Sequence, residues 1–178
     1  MNLDEIVASG DKLERILDIV LRNKDLTLAL AESCTGGKLS SLITAIPGCS
    51  IYFKGGIVCY SNEIKQNILG VDFDILEKYG AVSQPVVEIM AEGAKRIFNV
   101  DCVIAVSGIA GPGGGTPDKP VGTVWIAVKY KGLNQSKKFQ FSQNRENNII
   151  SACNSGINML LEIMFPKTFP DIPKNLIA

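Results

Sequence analysis

Apolar residues recur at two different periods along the chain, and the switches between them outline a fold. Leu13, Ile16, Leu17, Val20 and Leu21 fall at helical spacing and predict an amphipathic helix over about residues 11–23. TLALAE, residues 27–32, reads as a short buried strand, broken by Ser33-Cys34-Thr35-Gly36-Gly37. Leu39, Leu42, Ile43 and Ile46 give the next helical face, which stops before Pro47-Gly48. GGIVCYS, residues 55–61, predicts a second strand, Asn62 to Leu69 a short helix ended by Gly70, and Asp74–Tyr79 a helical turn. Ser83-Gln84-Pro85 marks a helix start, because proline in the first turn gives up an N–H that has no partner there. Val87, Met90, Ala91, Ala94, Ile97 and Phe98 are the predicted buried face of that helix. Residues 101–107 are the most strand-like segment, followed by a Gly/Pro loop over 108–120. Strands over 121–130 and 136–142 then pair as a hairpin around Lys131-Gly132, and Ile149 to Met164 form the last helix.

Strands alternate with helices early, and two strands then run consecutively. This order predicts a three-layer α/β/α sandwich with a mixed five-stranded sheet. With no repeat, low-complexity tract or linker, residues 1–165 read as one domain. The Pro-rich tail from residue 166 to 178 is expected to run extended over the surface.

Composition narrows the chemistry. Lys+Arg and Asp+Glu each number 18, so the formal charge is zero and the chain has no electrostatic footprint for nucleic acid. With 46% hydrophobic and 20% charged residues it is ordinary for a globular protein. Histidine is absent, which excludes Ser-His-Asp and Cys-His catalysis, His-ligated zinc and imidazole pH switches. Cys34, Cys49, Cys59, Cys102 and Cys153 are odd in number and form no C-x-x-C pair, so neither a disulfide framework nor a thiolate metal site is expected. Free thiols suit a reducing compartment. The acidic, Gly-broken N-terminus does not resemble a signal peptide, and no apolar run approaches the ~20 residues of a bilayer span. The expected setting is therefore cytoplasmic, with no membrane partner.

Ligands of open α/β sheets gather at the carboxyl ends of strands, and three such ends carry polar loops. At the first, Ser33 sits where a strand turns into a helix. The N–H groups of Thr35, Gly36 and Gly37 are expected to lie unpaired and to face a ligand. A serine N-cap followed by tightly packed glycines accounts for the same letters. At the second, Tyr60-Ser61-Asn62-Glu63-Ile64-Lys65, Lys65 lies one turn inside a short helix. It is a usable base only if burial lowers its pKa; taken alone it reads as a solvated lysine, and Tyr60 as a half-buried core residue. The third, Ser107 to Pro120, follows a strand without leading into a helix. It spells neither G-x-x-x-x-G-K-[ST] nor G-x-G-x-x-G, so it is neither a P-loop nor a dinucleotide fingerprint. Unstructured loops of this length in compact domains tend to be functional, although a flexible hairpin lead-in gives the same pattern. Cys34 lacks a histidine to make it a thiolate and is expected behind the turn. Glu32 and Asp118 are not paired in sequence, so a two-carboxylate site has little support.

Together these motifs resemble the CinA C-terminal domain family, whose members include the nicotinamide-nucleotide amidases. The residues that carry the resemblance are Ala31-Glu32-Ser33-Cys34-Thr35-Gly36-Gly37, Tyr60-Ser61-Asn62-Glu63-Ile64-Lys65, Gly80-Ala81-Val82-Ser83, Ser107-Gly108-Ile109-Ala110-Gly111-Pro112 and Lys119-Pro120-Val121-Gly122-Thr123-Val124-Trp125. The resemblance implies hydrolysis of the carboxamide of nicotinamide mononucleotide, with no cofactor or metal. Ser33 falls on the family's nucleophile, Lys65 on its base and Tyr60 on its assisting tyrosine. Implied substrate contacts are Thr35, Gly36, Gly37, Ser107, Gly108, Gly111 and Arg145. Arg145 stands in Phe141-Ser142-Gln143-Asn144-Arg145, where relatives more usually have Phe-Ser-Gly-Asp-Arg. Longer relatives carry an additional N-terminal domain with its own activity; the resemblance here is to the stand-alone form. The expected partner is a small pyridine nucleotide, and a homo-oligomer, most simply a dimer, is expected on the habit of soluble enzymes. A nucleotide-binding module without hydrolysis and a competence- or damage-related protein are the alternatives.

Overall fold

A computed structural model describes residues 12–166. The sequence-predicted tail beyond residue 166 lies outside the described residues. The elements, in chain order, are α1 (Leu13–Asn23), β1 (Leu28–Glu32), α2 (Lys38–Thr44), a 3-10 turn (Cys49–Ile51), β2 (Phe53–Val58), α3 (Asn62–Asn67), α4 (Phe73–Tyr79), α5 (Gln84–Phe98), β3 (Cys102–Gly108), β4 (Thr123–Tyr130), β5 (Leu133–Gln140) and α6 (Arg145–Met164).

The sheet is mixed and five-stranded, in the order β2-β1-β3-β4-β5. β2, β1 and β3 run parallel, while β4 and β5 return antiparallel. Glu32 pairs with both Val58 and Val106, so the carboxyl ends of the three parallel strands finish at one edge. This register brings Ser33, Tyr60 and Ser107 together from segments far apart in sequence.

Side-chain alternation builds two different cores. Leu28 and Leu30 of β1 face α1, α2 and α6, where Leu17, Leu21, Leu39, Ile104, Ile126 and Leu161 pack. Ala29 and Ala31 face the opposite way with Ala105 and Ala127, against Val87, Met90 and Ala91 of α5. Small residues on that face let α5 lie close to the sheet. Helices thus cover both faces, which makes the three-layer sandwich. Gly56 of β2 serves the same closeness on the other side, since a Cβ there would stand 2.5 Å from Ser40 Oγ of α2.

Element boundaries depart from the periodicity where polar groups decide them. α6 begins four residues before Ile149, because Asn144 accepts a hydrogen bond from Asn147 N–H and caps the helix. The hairpin turns on Lys131 and Gly132, both at positive φ, so β5 starts directly at Leu133. β2 runs from Phe53 to Val58, earlier than the apolar letters suggested. Ile97 is 44% exposed and does not join the buried face of α5; Val86 and Gly93 do.

Candidate active site

The turn after β1 carries Ser33, and the first turns of α3 carry Lys65. Both are buried, and Lys65 is 1% exposed. Lys65 Nζ lies 3.1 Å from Ser33 Oγ, 2.7 Å from Cys59 O and 3.4 Å from Tyr60 O. A neutral amine has two N–H bonds and one lone pair. The two carbonyls can only accept, so they occupy the two N–H bonds and leave the lone pair facing the Ser33 hydroxyl. Burial pushes the Lys65 pKa down, with the Cys59 and Cys34 thiols working against the shift. Among the described residues no carboxylate pairs with Lys65, and Glu63 on the same short helix is exposed.

Glu32 shapes the turn that presents Ser33. Its side chain is fully buried, and it makes no salt bridge among the described residues. Instead its carboxylate accepts from the N–H groups of Gly37, Leu39 and Ser40 and from the Ser40 hydroxyl, at 2.6–3.0 Å. These are the otherwise unpaired donors at the start of α2. The expectation of open N–H groups at Gly36 and Gly37 is corrected accordingly: Gly36 donates to Ser33 O and Gly37 to Glu32. Glu32→Gln, nearly isosteric, must turn an NH₂ toward one of those donors. It is expected to lower unfolding stability by about 2 kcal/mol or more, read as a shift of the urea midpoint.

Ser33, Tyr60, Lys65, Ser107, Gly108, Gly111 and Arg145 line one cavity of about 280 Å³. Thr35, Gly36 and Gly37 do not line it, because their turn folds back over Glu32. Asn62, Ala81 and Val82 line it too, and the sequence reading had not singled them out as contacts. Ser107 is held by donating its hydroxyl to Ala81 O at 2.8 Å. A Cβ on Gly108 would meet Val124, Thr123 O and the Cys34 sulfur at 3.0 Å or less, so the cavity floor requires glycine there. Larger cavities of about 440 Å³ and 510 Å³ lie beside α5 and beside α1, but neither is lined by a serine and a buried lysine.

Tyr60 departs from expectation in two ways. Its ring is 62% exposed instead of half-buried. Its hydroxyl accepts from Arg145 Nη2 at 3.3 Å, while only its carbonyl reaches Lys65. Arg145 also donates from Nη1 to Gly111 O at 2.6 Å, so its guanidinium spans the cavity mouth. Cys34 is buried behind the turn, and burial pushes its thiol up to about 12. A thiolate nucleophile beside Ser33 is therefore disfavoured. Among the described residues no three His, Cys, Asp or Glu side chains gather to hold a metal, and no helix is long and apolar enough to cross a membrane.

Comparison with known proteins gives this geometry a family. The profile of the CinA C-terminal domain matches residues 10–164. Over 137 residues the chain is 50% identical to a CinA-like protein of Thermotoga neapolitana, covering 77% of this chain and 33% of that protein. Over 120 residues it is 53% identical to a CinA-like protein of Parasynechococcus marenigrum, covering 67% and 29%. The chain thus spans about a third of the length of the curated relatives it matches. Among solved structures, the competence/damage inducible protein CihA of Agrobacterium tumefaciens superposes with a TM-score of 0.83 at 32% identity, covering 91% of this chain and 95% of that one. A competence-damaged protein (CinA) superfamily protein of Escherichia coli gives 0.82 at 36% identity, covering 85% and 88%. With the matched profile extending across the whole sheet and both helical layers, this chain belongs to the CinA C-terminal domain family.

Proposed function

We propose that this protein is an amidohydrolase that converts nicotinamide mononucleotide to nicotinate mononucleotide and ammonia. The observation that carries the reading is the 3.1 Å contact between Ser33 Oγ and the carbonyl-flanked amine of Lys65. Ser33 Oγ attacks the carboxamide carbon as its proton passes to Lys65 Nζ. The resulting oxyanion is met by the N–H of Cys34, the residue after the nucleophile, which lines the same cavity. Lys65 returns the proton to the departing nitrogen, the C–N bond breaks, and ammonia leaves an ester on Ser33. Water then attacks the ester, losing a proton to Lys65, and the nicotinate carboxylate departs as Ser33 regains its hydrogen. Neither half needs a cofactor or a metal ion.

A cavity of about 280 Å³ suits a ring bearing an amide, with the remainder of a nucleotide leaving through the mouth. Arg145 stands at that mouth and is the cation nearest the substrate's phosphate in this reading. The decisive assay is ammonia release from nicotinamide mononucleotide, with and without a chelator. Release in both arms is expected; no release in either sinks the reading and favours a binding module without hydrolysis. Nicotinamide riboside, which lacks the phosphate, is expected to react at least about tenfold less efficiently. Arg145→Ala is expected to raise KM more than it lowers kcat, because phosphate binding is shared by ground and transition states.

A further inference from the structure

Asn148 lies one turn after Arg145 on α6 and is 1% exposed. Its carboxamide is fully committed. Nδ2 donates to Ala110 O and Gln143 O, both at 3.0 Å, and Oδ1 accepts from Gln143 N–H at 3.1 Å. The N–H can be met only by the oxygen and the two carbonyls only by the NH₂, so the amide has one workable orientation. The same first turn of α6 therefore bonds two successive carbonyls of the cavity wall: Asn148 holds Ala110, and Arg145 holds Gly111. Ala110 and Gly111 are both buried, and both line the cavity with Ser33. Through Gln143 the carboxamide also fixes the connection from β5 to α6, from which Arg145 projects.

Resting on the amidase reading above, we infer that Asn148 is a positioning residue for catalysis: it sets the Ala110–Gly111 wall and Arg145 at one height over Ser33. Without its donor, Ala110 O is left buried and unpaired, and the wall and the guanidinium relax independently. A displacement of about 1 Å at a reacting centre costs on the order of a hundredfold in rate. Asn148→Ala and Asn148→Asp are both expected to lower kcat/KM on nicotinamide mononucleotide by on the order of tenfold to a hundredfold. The aspartate keeps the acceptor for Gln143 N–H and loses the donors to Ala110 O and Gln143 O.

The test is a double-mutant cycle with Arg145→Ala, run at a temperature where circular dichroism reports every variant folded. If Asn148 acts through the wall that Arg145 shares, Asn148→Ala in the Arg145→Ala background keeps less than a third of the effect it has in the wild type. Additive losses would make Asn148 a stabiliser of α6 alone and overturn the inference, as would an Asn148→Asp variant with near wild-type kcat/KM. Hydrogen exchange reads the wall independently of turnover. Exchange is expected to rise in residues 109–115 of Asn148→Ala and to stay unchanged through β1 and α5. An unchanged 109–115 segment also overturns it. A wild-type chain that releases no ammonia sinks the amidase reading instead, while the exchange result still decides whether Asn148 holds the wall.

Discussion

Ser33→Ala abolishes ammonia release from nicotinamide mononucleotide, with a loss in kcat on the order of 10³–10⁶-fold, and leaves the fold intact. The size follows from the role: removing a nucleophile removes the covalent route, and what remains comes from binding and the oxyanion donor. The fold survives because Ser33 is joined to the sheet through its backbone, donating N–H to Val106 O, and its side chain contributes one bond to Lys65. Cys34→Ala is the control. The thiol is buried, and burial raises its pKa to about 12, which disfavours the thiolate. That variant is expected to keep most of the activity, because the Cys34 N–H, the part used here, belongs to the backbone. An inactive Cys34→Ala paired with an active Ser33→Ala reverses the assignment and makes the enzyme thiol-based. Trapping an ester on Ser33 after brief exposure to substrate, detected by mass, tests the same step directly.

The layers of the fold were legible because their signals are local. β1 is buried at every position and reads as an apolar run closed by Glu32, and α5 combines helical spacing with proline in its first turn. β5 carried a weaker signal, since it is mostly exposed and alternates poorly, and its start is set by the backbone of Lys131 and Gly132. The site was legible only as separate pieces. Lys65 by its own letters is a solvated lysine; its burial depends on β1, β2 and β3 ending at one edge, a non-local fact. Glu32 was visible as an acid near a loop, but its task is to accept from donors five to eight residues ahead, which appear only once α2 turns back. Asn148 bonds a carbonyl 38 positions away, and no spacing in the sequence signals such a contact. Tyr60 shows the opposite failure: the motif placed it beside the base, whereas its phenol turned outward to Arg145.

Lys65→Arg is expected to be nearly inactive, and the wild-type pH profile to explain why. A guanidinium fits the carbonyls of Cys59 and Tyr60 as a donor but has no lone pair to offer Ser33 and stays protonated. Lys65→Met, uncharged and without a lone pair, fails for the second reason alone; equal losses in the two variants identify the missing base as the common cause. The active form of the wild type is the neutral amine. On the acid side kcat/KM rises about tenfold per pH unit, then levels above the pKa of Lys65 in the free enzyme. Burial lowers that pKa, so the plateau begins below the ~10.4 of a free lysine. Folding obeys the same sign. Between the lowered native pKa and the ordinary unfolded one, the unfolded chain binds the extra proton, so the contribution of Lys65 to stability rises with pH across that window. Below the native pKa both states carry the charge, and the cost of burying it is felt in full. An acid limb at the ordinary lysine value, or a Lys65→Arg variant retaining more than about half of the activity, removes Lys65 as the base. With no histidine in the chain, and with the Tyr60 hydroxyl turned to Arg145, the proton of Ser33 would then have to leave through water.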